Sequence, residues 1–492
     1  MKQYTVLKKT GTHADALAAI GAADLLHGLD PRIIELEDRF VIELRRPAVP
    51  ADLDNADPGY EPLDRSSKTT DRMTMILSRM KAFGGPTLLY EKFSKTKRDH
   101  WAQRIWESLN GRADFVFSPP LVQLFHPECC RGYALLKPSG TNRSDKTKDR
   151  WAEPFLEWLR FRGYFAASAG WFTSGDLRLY TPIPAVAEYD RLAPAMKEFR
   201  ELKFGGGSVK IDCRAILALA RILIKTASRH QPPRESVRGM HVAHYKDMGQ
   251  AHTLIAMDQL ALPDWLELRT SEHASCWLET IEAHEIVLRR LDDSHSDEFA
   301  LLKQYRSTLQ CQRSDSIPAF IEFLAGYSAL VFRRRSLDDW VLPQFSEASV
   351  APILRRESDL RPWLRNPGLL AVAAALRAST LGAQSARHSG RLNRREIRYG
   401  VLSDLRRATT RDLPRIVADF VEAFNTESFR RQSTGLRAAR ISRQERDACL
   451  SAIERLPRRI PAAALLCAMA GCRPARTVDA TAETRTPEAI PA

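Results

Sequence analysis

From about Ala256 onward the chain carries apolar residues at helical spacing and no alternating strand pattern. The clearest case is Leu413, Ile416, Val417, Phe420, Val421 and Phe424, which recur at i, i+3, i+4, i+7, i+8 and i+11. Those intervals put the apolar side chains on one helix face, and a face that wide has to pack against other elements. The remaining surface of this stretch is cationic. Between Arg377 and Arg459 stand 19 arginines, 9 acidic residues and no lysine, a surplus of ten positive charges within a formal +14 for all 492 residues. Arginines on a folded module face solvent, where phosphate backbones are the commonest anionic partner. A genome-wide preference for Arg over Lys explains the identity of the cation. It explains less well why positives outnumber negatives about two to one here.

The length suggests two or three domains, and a 44% apolar content suffices for real cores. No run of about 18 apolar residues is present, so no membrane span is expected. Met1-Lys2-Gln3-Tyr4 leads into a mixed polar stretch without an apolar signal-peptide centre, which predicts a cytoplasmic protein. The eight cysteines are scattered, with no C-x-x-C pair and no zinc-spaced Cys/His quartet, so reduced thiols are expected. His241, His244 and His252 are the one histidine cluster. On a helix the first two would be neighbours, but no third and fourth ligand follow. Neither a metal site nor a cofactor is expected.

The first half reads differently. Tyr4–Leu7 is a short strand, and Thr12 fits an N-cap for an apolar helix from His13 to Leu29. Ile33–Leu36 and Phe40–Leu44 read as a hairpin, and Gly163–Ala169 with Leu177–Pro184 as a strand pair. Residues 47–70 form an Asp/Pro-rich insertion or loop, and residues 137–150 a mobile basic loop. The expected fold class is α+β: a mixed α/β body over residues 1–255, an all-helical arginine-rich bundle over 256–472, and a disordered tail over 473–492.

No signature of a nucleotide-binding loop, a nucleophile elbow or a zinc protease occurs, so no catalytic residue is assigned. Gly205, Gly206 and Gly207, flanked by Lys203 and Lys210, can offer backbone N–H groups to a phosphate; the same run also suits a hairpin tip. Arg333, Arg334 and Arg335 end an apolar helix, where cations complement the helix C-terminus and can also meet phosphate. Arg394, Arg395, Arg398, Arg406 and Arg407 recur at spacings that gather several on one helical face. Tyr399, Trp363 and Trp340 lie among the basic clusters, as core residues or as stacking surfaces for unpaired bases.

Three stretches resemble the large subunit of type I CRISPR surveillance (Cascade) complexes. They are Ser379-Thr380 with Arg398-Tyr399-Gly400 and Asp419-Phe420-Val421-Glu422-Ala423-Phe424-Asn425; Ala261-Leu262-Pro263-Asp264-Trp265-Leu266; and Arg162-Gly163-Tyr164-Phe165. An α/β body, a helical C-terminal part and excess positive charge agree with it. The resemblance implies a non-enzymatic subunit that reads a short motif beside a DNA target, helps part the duplex, holds the displaced strand and docks a helicase–nuclease. Its partners would be guide RNA, target double-stranded DNA and the other subunits, with no membrane, and the helical half would resemble a fused small subunit. In that setting Lys203, Gly205, Gly206, Gly207 and Lys210, then Asn142 and Arg143, would approach the flanking duplex. Arg394, Arg395, Arg398, Arg406 and Arg407 would grip the displaced strand, and Lys8 and Lys9 would touch guide RNA. Two other readings stand beside it: a stand-alone basic DNA-binding or architectural protein without guide RNA, and an enzyme with an unrecognised site, such as a divergent nuclease.

Overall fold

The N-terminal sequence builds a small antiparallel sheet around one apolar helix. Strand β1 (Lys2–Leu7) leads through a turn into α1 (His13–Leu25), whose N-cap Thr12 accepts a hydrogen bond from the Ala14 N–H at 3.2 Å. Strands β2 (Arg32–Glu35) and β3 (Arg39–Leu44) form the expected hairpin. The computed structural model describes residues 2–53, 101–113, 125–127, 153–173, 176–226, 233–247, 252–263, 271–309, 313–336, 342–379, 405, 408, 411–433 and 439–473. Most of the 47–70 insertion and the whole of the 137–150 loop lie outside the described residues.

Next come α2 (Trp101–Leu109), α3 (Pro154–Ala167), β4 (Ala169–Thr173), β5 (Asp176–Pro184), β6 (Val186–Glu188), α4 (Tyr189–Glu201) and α5 (Ser208–Thr226). Strands β7 (Val237–Asp247) and β8 (His252–Ala261) follow. The strands make two antiparallel four-stranded sheets, ordered β1-β3-β2-β6 and β4-β5-β7-β8. Helix α1 is made almost wholly of Ala, Leu, Ile and Gly, and nearly every residue of it is buried. It lies against α3 so closely that a Cβ on Gly21 would stand 1.9 Å from the Leu159 carbonyl oxygen.

Three expectations for this half are corrected. Residues 163–167 are helical and complete α3; β-prone Tyr164 and Phe165 are there to pack, with Gly163 at the helix crossing. His241 and His244 stand on strand β7, where a three-residue separation sends them to opposite faces of the sheet. The expected boundary at residue 255 falls inside β8. Ile255 and Met257 are exposed on that strand, which blurs the apolar–polar alternation a strand should show.

The chain divides into two units, one of Met1–Leu278 with Asp292–Ser316 and one of Glu279–Leu291 with Ile317–Ala492. The first unit therefore also contains α7 (Ser296–Thr308), which follows α6 (Ser271–Arg290). Helices dominate the second: α8 (Arg313–Ser336), α9 (Glu347–Leu354), α10 (Leu360–Leu364), α11 (Pro367–Arg377), α12 (Leu413–Ser433), α13 (Arg443–Arg455) and α14 (Ala462–Gly471). The class is thus α+β, with antiparallel sheets in the N-terminal region. Leu413, Val417, Phe420 and Val421 of the predicted stripe are buried, with Ile416 and Phe424 half-buried at its margins. Among the described residues one window, Ser316–Arg334, has a mean hydropathy of 1.2 and the length of a membrane span; 67% of it is buried, as in a core helix.

His284 makes the helical core pH-sensitive. Its ring stacks on Phe320 (centroids 5.4 Å apart) and meets Phe345 edge-on, and burial pushes its pKa down from 6.5 to about 3. Between those values the unfolded imidazole binds a proton that the folded one refuses. Stability from this ring is therefore fully present above pH 6.5 and is lost as pH falls toward 3. The slope is on the order of 1.4 kcal/mol per pH unit. Urea titrations at pH 7 and pH 5 should show the loss, and His284→Phe should remove this residue's share of it.

Candidate nucleic-acid interface

The glycine turn opens α5. Lys203, Gly205 and Gly206 are exposed, and Gly206 has φ +117°, a backbone shape that glycine alone adopts easily. Gly207 is the last residue before the helix, and its N–H donates to the Asp293 carboxylate. An internal anion thus already occupies one donor of the expected phosphate cradle. Lys210 is half-buried; desolvation lowers its pKa, opposed by Asp293. Arg214 donates to the Gly205 carbonyl at 3.1 Å and lies over the Phe204 ring at 5.1 Å. The turn keeps a cationic outer rim, and its inner wall is acidic.

The basic turn after β1 is also neutralised from within. Lys8 Nζ lies 2.7 Å from Glu35 and 4.9 Å from the Phe40 ring centroid. Lys9 is exposed, 3.6 Å from Glu153. The backbone N–H groups of Lys9, Thr10 and Gly11 converge on the Asp15 carboxylate at 3.2, 2.9 and 2.7 Å. This loop resembles an anion cradle in form and carries its own carboxylate.

In the second unit, Arg333 is exposed and Arg334 half-buried at the end of α8. The side chain of Arg335 lies outside the described residues, as do Asn142, Arg143, Arg394, Arg395, Arg398, Arg406, Arg407, Trp340 and Tyr399. Trp363 is buried in α10 and belongs to the core, so it offers no stacking face. Arg411, Arg415, Arg430, Arg440 and Arg443 are exposed on or beside α12 and α13. Some of these meet carboxylates at long range, Arg415 to Asp419 at 3.7 Å and Arg443 to Asp447 at 3.8 Å. Others are structural. Arg377 donates to Glu347 (3.1 Å) and to the Met469 and Ala470 carbonyls, and Arg459 bridges Glu357 (2.7 Å) and Asp359 (2.9 Å).

Residue reading missed Phe429. It is 62% exposed near the end of α12, with the Arg440 guanidinium 4.9 Å from its ring centroid. A signal existed: at 100° per residue Phe429 falls roughly 160° from Leu413, far from the buried stripe. An aromatic on the polar side of an amphipathic helix asks for a partner.

Among the described residues no group of three or more His, Cys, Asp or Glu is arranged to hold a metal ion. No protein-family model matches the chain, and no curated protein matches it.

Proposed function

We propose that the chain is a non-catalytic nucleic-acid-binding subunit of an RNA-guided surveillance complex of the type I CRISPR kind. In this role it works in the cytoplasm as the large subunit. It reads a motif beside the DNA target, stabilises the opened duplex and offers a docking surface to a helicase–nuclease. Its partners are guide RNA, target DNA and the other subunits.

The observation that carries this reading is the arginine surplus of residues 377–459 in the sequence, together with the exposure of Arg411, Arg415, Arg430, Arg440 and Arg443 on or beside α12 and α13. Exposed i,i+4 pairs such as Arg415–Asp419 and Arg443–Asp447 contribute little to stability in water. They leave those guanidinium groups available to a polyanion, whose binding releases counterions. Arg377 and Arg459 are committed to the fold by Glu347, Glu357 and Asp359, which lie outside the stretch; with those two arginines set aside its surplus is still eight. The α+β body followed by a helical unit agrees with the resemblance, and Asp419–Asn425 lies within α12. The internal carboxylates at Lys8 and Gly207 favour the second unit over the glycine turn as the principal polyanion surface.

Purification of the tagged chain from its native host tests the proposal. A small RNA of uniform length and repeated backbone subunits should accompany it. A chain that purifies alone and grips duplex DNA by itself is a stand-alone DNA-binding protein instead, and metal-dependent cleavage by the purified chain makes it an enzyme.

A further inference from the structure

We propose that Phe429 and Arg440 form a platform on which an unpaired nucleobase stacks, so that the helical unit selects single-stranded over duplex nucleic acid at this point. The inference rests on the nucleic-acid reading above and adds a site and a strand preference to it.

The platform is built, not accidental. Asn425, one turn before Phe429 on α12, donates from Nδ2 to the Ile441 carbonyl at 2.8 Å and accepts from the Ile441 N–H at 2.9 Å. That two-point clamp fixes the backbone beside Arg440. Ile441 is itself buried, and Ser442 caps α13 in a capping box with Glu445. Arg440 therefore directly precedes two anchored residues, and its guanidinium lies over the ring. Fixing the backbone next to a long side chain removes part of the entropy that would otherwise be lost on binding.

The surroundings identify the ligand. Among the described residues from Asn425 to Arg443 stand four arginines, Arg430, Arg431, Arg440 and Arg443, and one acid, Glu427, which Arg431 engages at 3.3 Å. A flat ring among cations suits a ligand that is both aromatic and anionic. Single-stranded nucleic acid supplies bases with free faces along a phosphate chain, whereas a duplex keeps its bases stacked on each other. A membrane-binding helix needs a broad apolar face. Here Phe429 is flanked by Thr426, Arg430, Gln432 and Ser433, so a lipid surface fits less well.

The test uses the full chain, a fluorescein-labelled oligothymidylate and a duplex of equal length, read by anisotropy. Phe429→Ala should weaken the single strand roughly 5- to 150-fold, the range expected for one lost base–aromatic stack. Duplex affinity and the salt dependence should stay as they are, because no phosphate contact is removed. Phe429→Trp should restore single-strand binding, and Phe429→Leu, which keeps apolar bulk without the flat face, should not. Because the ring is mostly exposed, all three variants should melt like the parent chain. An equal loss for both ligands, or no loss for either, rejects the platform while leaving the general reading intact. A parent chain that binds neither ligand rejects the platform, while the general reading is decided by what co-purifies with the chain. Loss of binding to phosphatidylglycerol vesicles with unchanged oligothymidylate binding assigns the patch to a membrane and overturns the proposal.

Discussion

Gly163→Val should leave the first unit unfolded at temperatures where the parent chain is intact. A Cβ on Gly163 would stand 1.9 Å from the Leu17 carbonyl oxygen, and one on Gly21 would stand 1.9 Å from the Leu159 carbonyl oxygen. The clash is reciprocal: α1 and α3 cross with their backbones in contact, each glycine facing the other helix. Overpacking usually costs about 1–3 kcal/mol, because neighbouring side chains can turn aside. Here the obstacle is main chain, so the helices themselves must part. Parting them strains what they carry. Arg162 on α3 bonds Asp24 of α1 at 2.6 Å, and Tyr189 reaches the same carboxylate at 2.5 Å. The expected cost lies at or above the upper end of that range, a large share of the roughly 5–15 kcal/mol that holds a domain folded. Gly163→Ala should lower the melting temperature less, and Gly205→Ala should barely move it, since a Cβ there meets nothing within 4 Å. Circular dichroism melts of the three variants decide the matter; a Gly163→Val chain that melts with the parent would show that the crossing is looser than described.

That glycine also shows where sequence reading stops. Arg162-Gly163-Tyr164-Phe165 looked like the approach to a strand because Gly breaks helices and Tyr and Phe favour strands. The helix tolerates Gly163 because the partner helix needs the space, and no local pattern announces a partner. Features set within one element or between sequence neighbours were legible: the Thr12 cap, the hairpin of β2 and β3 and the buried stripe of α12. Features set by distant contacts were not. Gly207 is 86 residues from the Asp293 that occupies its N–H, so the glycine run read as an open phosphate cradle. Arg440 becomes a stacking partner for Phe429 only through the clamp between Asn425 and Ile441. Charge surplus is additive along a chain and survives this blindness; the pairing of individual charges does not.

Asp212→Ala should be the most damaging single loss of charge in the first unit. Asp212 is fully buried on α5 and accepts four hydrogen bonds. Arg178 of β5 reaches both its oxygens at 2.8 and 2.9 Å, Arg306 of α7 donates from Nε at 2.7 Å, and the Tyr180 hydroxyl donates at 2.6 Å. Arg306 also bonds Asp258 of β8 at 2.7 Å, so two guanidinium groups face two carboxylates. Burial, reinforced by the charge of Asp212, pushes the Tyr180 phenol well above 10, which keeps it a neutral donor. With the carboxylate gone, Arg178 is left buried beside a second cation that has only Asp258 to answer it. Removing one partner of a buried ion pair typically costs about 3–5 kcal/mol, most of it from the stranded charge. The pair need not be stabilising in itself for this to hold. Replacing both partners, Arg178→Met with Asp212→Leu, should therefore cost less than Asp212→Ala alone, because no charge is left unanswered at that pair. Urea unfolding of the single and double variants measures the difference. A double variant less stable than the single would mean that Arg178 and Asp212 act as a net glue between sheet and helix, and the stranded-charge account would fail.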